Sequence, residues 1–194
     1  MRLVEKLRFL AGVGRRIAET IGTIGMPPVR EALGRLAAQA GAVEAMLRGM
    51  EAAGTQQGEW FVPDKAMMYA AQVLTQELYP QVIGTLRELA GGGLIMLPFS
   101  VADYAKPELA RIPRTVQQSP AASPEERVRF LKLAWDAIGS EFASRHLQYE
   151  MFYAGAAFVT RGHAFRTYDW ARAAAMVEGL LGPAPQPGAA ERAA

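Results

Sequence analysis

The sequence predicts an all-α chain folded as an antiparallel helical bundle. Apolar residues in its first two long segments recur at alternating spacings of four and three, the period of a helix seam. Prolines and glycines sit where helices start and stop, and no run of alternating β-branched residues suggests a sheet. With 194 residues, 51% of them hydrophobic, the chain is large enough to bury a core as one domain without staples.

The first helix carries Leu3, Leu7, Leu10, Gly14, Ile17 and Ile21 on one seam. Gly14 there lets a neighbouring helix approach closely, and Gly22 and Gly25 end the segment. Pro27-Pro28 suits the first turn of a second helix, where a missing amide donor does no harm. Its stripe is Val29, Leu33, Leu36, Ala40, Val43, Leu47 and Met50. A short linker between two narrow seams argues for antiparallel packing. Gly54 to Pro63 reads as a loop containing Trp60 and Phe61. Asp64 caps a third helix that runs to about Ala90, with Ala71, Leu74, Leu78, Val82, Leu86 and Leu89 facing inward and Pro80 kinking it. Gly91-Gly92-Gly93 ends that helix.

Pro98 to Ala122 reads as irregular, with a short helical turn around Glu108. Ser123, Pro124 and Glu126 form a capping box at the head of a fourth helix. One long amphipathic helix is expected through Gly155, with Val128, Leu131, Trp135, Ile138, Phe142, Arg145, Tyr149 and Phe152 on its stripe. Phe158 to Tyr168 reads as a loop and Trp170 to Leu181 as a short final helix. The bundle is therefore expected over residues 1–181, and the Pro-, Gly- and Ala-rich stretch 182–194 as a disordered tail.

The totals exclude several function classes. The chain has no cysteine, which rules out disulfides, thiolate catalysis and cysteine-held clusters. A net charge of +2 with dispersed basic residues gives no case for nucleic acid or an anionic membrane. Arg2, Lys6, Arg8, Arg15 and Arg16 give the N-terminus the look of a presequence, but Glu5 and Glu19 interrupt it. No window approaches the roughly 18 apolar residues that span a bilayer. The expected location is the cytoplasm.

Arg145 stands out as a permanent cation on an otherwise apolar stripe, where an unpaired charge would be costly. Two readings follow: an ion pair with Glu141, Glu150 or another helix, or an anion contact such as a cofactor diphosphate, which a guanidinium matches bidentately. The triple glycine also reads two ways. One glycine suffices for a helix cap, and three suggest that something approaches the backbone closely. His146 and His163 are the only imidazoles, with no Asp/Glu-x-x-His pair, so no metal site is expected. His163 lies in a basic aromatic stretch, Arg161 to Arg166, which reads as a solvated loop or one near a ligand mouth. Gly12-Val13-Gly14 lacks the preceding strand of a nucleotide loop, and the methionines read as core filler.

Several stretches resemble one family: Arg87 to Ile95, Asp103 to Leu109, Glu125-Glu126-Arg127, Leu133 to Asp136, Gly139 to Phe142, Ser144-Arg145-His146 and Arg161 to Trp170. Spread from about Arg2 to Leu181, they resemble the C-terminal helical domain of the 4-hydroxyphenylacetate 3-hydroxylase family. That resemblance implies an acyl-CoA-dehydrogenase-like C-terminal domain, a homo-oligomer (a tetramer in the family), and reduced FAD delivered by a separate reductase. With oxygen, such enzymes hydroxylate a phenol ortho to its hydroxyl. It also implies that Gly91, Gly92, Gly93, Arg145 and His146 lie near flavin; the sequence shows no serine-histidine-acid arrangement and no carboxylate dyad, so no catalytic residue is named. The family's N-terminal and β domains have no counterpart in this sequence, and Arg111 to Ala122 departs from its pattern. The family's dehydratase branch needs a cysteine-ligated cluster, so the monooxygenase branch is favoured. Two alternatives stay open: a structural bundle that self-associates through the first two seams, and a helical ligand-binding protein.

Overall fold

In a computed structural model that describes residues 1–181, the chain is the expected bundle of helices. The stretch 182–194, expected as a tail, lies outside the described residues. The first helix, α1 (Arg2–Ile21), is followed by α2 (Pro27–Ala52), a hairpin of β1 (Thr55–Gln57) and β2 (Trp60–Val62), and α3 (Lys65–Ala90). Two 3-10 turns, Gly91–Leu94 and Val101–Ala105, lead to α4 (Pro107–Val116). Four helices complete the fold: α5 (Pro124–Ile138), α6 (Glu141–Phe152), α7 (Ala157–Thr167) and α8 (Trp170–Leu181).

The α1 seam does what its spacing predicts. Leu7, Leu10, Val13 and Ile17 are buried against Leu36 and Val43 of α2, against Val82, Ile83 and Leu86 of α3, and against Leu131 and Ile138 of α5. Truncating a fully buried leucine here, such as Leu86, to alanine would cost about 2–5 kcal/mol. A Cβ on Gly14 would stand 2.8 Å from a Leu86 methyl and 3.1 Å from one of Leu36, so glycine is what lets three helices meet. The α1 seam is mostly buried inside the chain, whereas on the α2 stripe Leu36 and Val43 are buried and Val29, Leu33, Ala40, Leu47 and Met50 are half-buried.

Caps hold where the sequence marks them. Asp64 accepts from the Met67 amide at 2.8 Å, and Ser123 and Glu126 form the reciprocal box at the head of α5. The third helix runs unbroken through Pro80, but its inward face is Thr75, Tyr79, Val82, Ile83 and Leu86, while Leu74 is exposed.

Three further expectations are corrected. The Gly54–Pro63 loop is a two-stranded antiparallel hairpin, turned at Gly58, whose φ of 62° favours glycine. The Phe158–Tyr168 loop is helix α7; it lacks a strong apolar stripe because its buried anchor is polar, Thr160 donating to Gln76 at 2.8 Å. The segment expected as irregular contains the ten-residue α4, started by Pro107.

The largest correction concerns the single long helix after Ser123. It is two helices, broken at Gly139-Ser140. Ser140 caps α6 by accepting from the Ala143 amide at 3.1 Å, and the Trp135 ring lies so close over Gly139 that a Cβ would clash with it. The break resets the helical phase. Val128, Leu131 and Ile138 are buried as expected, but Phe142, Arg145, Tyr149 and Phe152 are exposed. The inward positions of α6 are Ala143, His146, Leu147 and Glu150.

Candidate functional site

The phase reset places a carboxylate where the sequence suggested a cation. Glu150, its side chain 1% exposed, points from α6 at the first turns of α1. Arg2 and Lys6, four residues apart on one face of α1, both reach it. Arg2 donates from both terminal nitrogens at 2.6 and 3.2 Å, and Lys6 donates from Nζ at 2.5 Å. The Arg2 guanidinium also lies over the stacked rings of Tyr149 and Tyr153, and Lys6 sits 5.4 Å from the ring centroid of the buried Tyr79.

His146 completes the cluster. Its Nδ1 is 3.0 Å from Lys6 Nζ. An ammonium only donates, so Nδ1 accepts and the ring proton sits on Nε2. Burial lowers the imidazole's pKa from its ordinary value, and the Lys6 charge lowers it further. Burial would raise the Glu150 carboxyl, but hydrogen bonds from Arg2 and Lys6 and their charges overcome it and hold the group below its ordinary value. Burial, helped by the Glu150 charge, pushes the Tyr79 phenol up to about 12. Near neutral pH the cluster is thus an ionised, fully engaged carboxylate, a neutral imidazole and a protonated phenol. The arrangement clamps the head of α1 to α6.

Arg145 lies one helical position away from this cluster and outside it. It pairs with Glu141 at 2.5 Å, and both side chains are exposed, 77% and 81%. The intramolecular pair with Glu141 is therefore the geometry present, and the guanidinium keeps free donors toward solvent. His163, on α7 rather than a loop, stacks on Tyr69 at 4.7 Å and meets Arg166.

The triple glycine lies at the other end of the bundle. Gly91 caps α3 with φ 51° and ψ −142°, a backbone state that only glycine holds without strain. Nothing stands within 4 Å of where a Cβ on Gly91 or Gly92 would be, so both face open space. A Cβ on Gly93 would be 3.9 Å from Ile21, at the far end of α1. His146 touches Lys6 near the start of that helix, so about 22 Å of α1 separate the two groups of predicted residues. The fold brings Arg145 and His146 together and sets Gly91–Gly93 apart from them.

Sequence reasoning missed Arg2, Lys6 and Glu150 as a unit. The available signal was the i, i+4 pair of cations flanking the α1 seam together with the Gly139-Ser140 cap signature, which turns Glu150 inward. Among the described residues no group of three or more His, Asp or Glu could hold a metal, and no helix is long and apolar enough to cross a membrane.

Comparison with known proteins gives one consistent answer. A family model described as 4-hydroxyphenylacetate 3-hydroxylase C terminal matches residues 1–182. A 4-hydroxyphenylacetate 3-monooxygenase oxygenase component of Pseudomonas aeruginosa is 32% identical over 95% of this chain and 35% of its own length. Its Escherichia coli counterpart is 32% identical over 80% of this chain and 30% of its own length. A solved oxygenase component, complexed with FAD and 4-hydroxyphenylacetate, superposes with a TM-score of 0.86 at 27% identity, covering 92% of this chain and 37% of that one. An archaeal 4-hydroxybutyryl-CoA dehydratase, at 17% identity and a TM-score of 0.82, shares the fold. The chain spans about a third of the length of the curated relatives it matches.

Proposed function

The chain belongs to the 4-hydroxyphenylacetate 3-hydroxylase C-terminal family, and from that premise we propose that it is the helical, flavin-facing part of an oxygenase that hydroxylates a phenol. The observation that carries this reading is the superposition of nearly the whole chain on an oxygenase component solved with FAD and a phenolic acid. Reduced FAD, when bound, supplies the electron pair that lets oxygen hydroxylate an aromatic ring. The chain's part is to bind and orient. In this reading the reacting groups lie in the part of the relatives' length that this chain does not span. A separate reductase supplies the reduced flavin.

The residues present fit the cofactor at two places. Gly91 and Gly92 offer bare backbone beside open space, suited to a flat group lying against it. Arg145, exposed with one carboxylate partner, offers free guanidinium donors suited to a diphosphate, with His146 beside it. We assign both sets to flavin contact, contributed by different copies of the chain because they lie at opposite ends of α1. Self-association, as a tetramer in this reading, then uses surfaces the fold leaves bare. No residue of α8 is buried, and Phe158, Phe165, Trp170 and Leu180 are exposed along α7 and α8. A reducing cytoplasm suits a chain without cysteine.

The test is reconstitution. The chain is mixed with a polypeptide carrying the other two thirds of a relative, together with reduced FAD, oxygen and 4-hydroxyphenylacetate. Hydroxylated product is expected from the mixture and none from either part alone. A stable complex that forms no product would reject the reading.

A further inference from the structure

The turn that carries the triple glycine has little of its own to hold its shape. Gly91–Leu94 is one 3-10 turn, and three of its four residues are glycines, which have the widest backbone freedom of any residue. Its local ties are the Gly91 amide, which donates to carbonyls of α3, and the Gly92 carbonyl, which accepts from the Ile95 and Met96 amides at 3.1 and 3.2 Å. A side chain from another helix supplies a further tie. Gln117, which ends α4, is 2% exposed, and its Nε2 donates to the Met96 carbonyl at 2.6 Å. Its Oε1 accepts from Nε of Arg127, on α5, at 3.0 Å. Nη2 of Arg127 lies 3.7 Å from where a Cβ on Gly93 would stand, beside methyl groups of Leu131 and Ile21.

The two partners fix the amide in one orientation, because a carbonyl only accepts and a guanidinium only donates. Gln117 is buried, so losing either bond would leave a polar group unpaired. Lys132, further along α5, adds a tie to the Phe99 carbonyl at 2.8 Å. Helices α4 and α5 thereby hold the chain directly after the glycines, from the bundle side. Where a Cβ on Gly91 or Gly92 would stand there is only open space. A turn braced on one side and bare on the other is preorganised for a ligand, since the cost of ordering it falls on folding and not on binding.

We infer that Gln117, oriented by Arg127, is a positioning residue that holds the Gly91–Leu94 turn in the shape against which the flavin lies. The inference rests on the reading above, which takes that turn as a cofactor contact, and it adds two residues of α4 and α5 to the site. Gln117 is too buried to touch a ligand and acts through the backbone alone.

The test combines amide hydrogen exchange with anaerobic titration of reduced FAD, on the full chain and two variants. Gln117→Leu is similar in size and removes both bonds. Gln117→Glu keeps an acceptor for Arg127 and removes the donor to Met96. In both, the Ile95 and Met96 amides should exchange about tenfold faster, with the amides of α1 and the middle of α3 unchanged. Reduced FAD should bind both about tenfold more weakly, because the turn must then be ordered on binding. Were Gln117 only structural, exchange would rise through the whole bundle. That outcome, or a native chain that binds reduced FAD with an affinity both variants keep, would overturn the inference and leave the flavin reading standing. A native chain that binds no reduced FAD would overturn both.

Discussion

The two ends of α1 solve opposite problems. At its start, polar groups are buried and answered within the chain: Glu150 is held by Arg2 and Lys6, and Lys6 is shared with His146. At its finish, Gly91 and Gly92 have open space where a Cβ would stand, while the Gly91 amide donates to the Arg87 and Glu88 carbonyls and the Gly92 carbonyl accepts from the Ile95 and Met96 amides. A closed ion cluster contributes rigidity and leaves little free for a ligand. Bare glycine backbone contributes little rigidity and leaves room. The contrast teaches that a conspicuous charge cluster need not be the ligand site.

The largest expected effect lies at the closed end. Glu150→Gln leaves Lys6 and Arg2 without their counter-charge, and because Arg2 is half-exposed the loss is about 1–3 kcal/mol, readable by chemical denaturation. The pH dependence has a definite sign. Because the folded Glu150 titrates below its ordinary value of 4.5, its contribution is fully present above that pH and fades as pH falls through the lower folded value. Glu150→Gln should flatten that acid limb. An unchanged limb would move the acid sensitivity elsewhere.

At the open end the glycines should separate. Gly91→Ala forces an L-residue into a positive φ and should cost about 1–2 kcal/mol, whereas Gly92→Ala meets no atom within 4 Å and should alter stability by less than about 0.5 kcal/mol. Thermal unfolding of the two variants checks this, and equal losses would mean that the second position is also constrained.

A smaller effect belongs to His146. Its folded pKa is lowered, so the unfolded chain takes up this proton first. The stability tied to the neutral ring is therefore present above pH 6.5 and declines as pH drops from there toward the folded value. Ring-proton NMR should give a midpoint below 6.5, and Lys6→Met should raise it. A midpoint unmoved by Lys6→Met would show burial acting alone.

The bundle itself was legible because its seams follow a strict period, and the start signals at Pro27, Asp64 and Ser123 mark single positions. Where structure departed from expectation, a local signal was overridden or weak. Gly139-Ser140 interrupts an apolar pattern that reads as continuous, and that break exchanges Arg145 for Glu150 on the inner face. Thr160 anchors α7 through a hydrogen bond, which leaves no apolar period to find. The short hairpin is exposed on nearly every residue, so burial leaves no alternation to read. Family motifs were legible throughout, since they depend on residue identity and not on phase.

The most direct measurement is anaerobic titration of reduced FAD into the purified chain, with its molecular mass recorded alongside. The account predicts saturable micromolar binding by an oligomer, weakened by Gly92→Ala and by Arg145→Ala with stability and mass unchanged. A well-folded oligomer that binds no reduced FAD, or whose affinity ignores both substitutions, would contradict it.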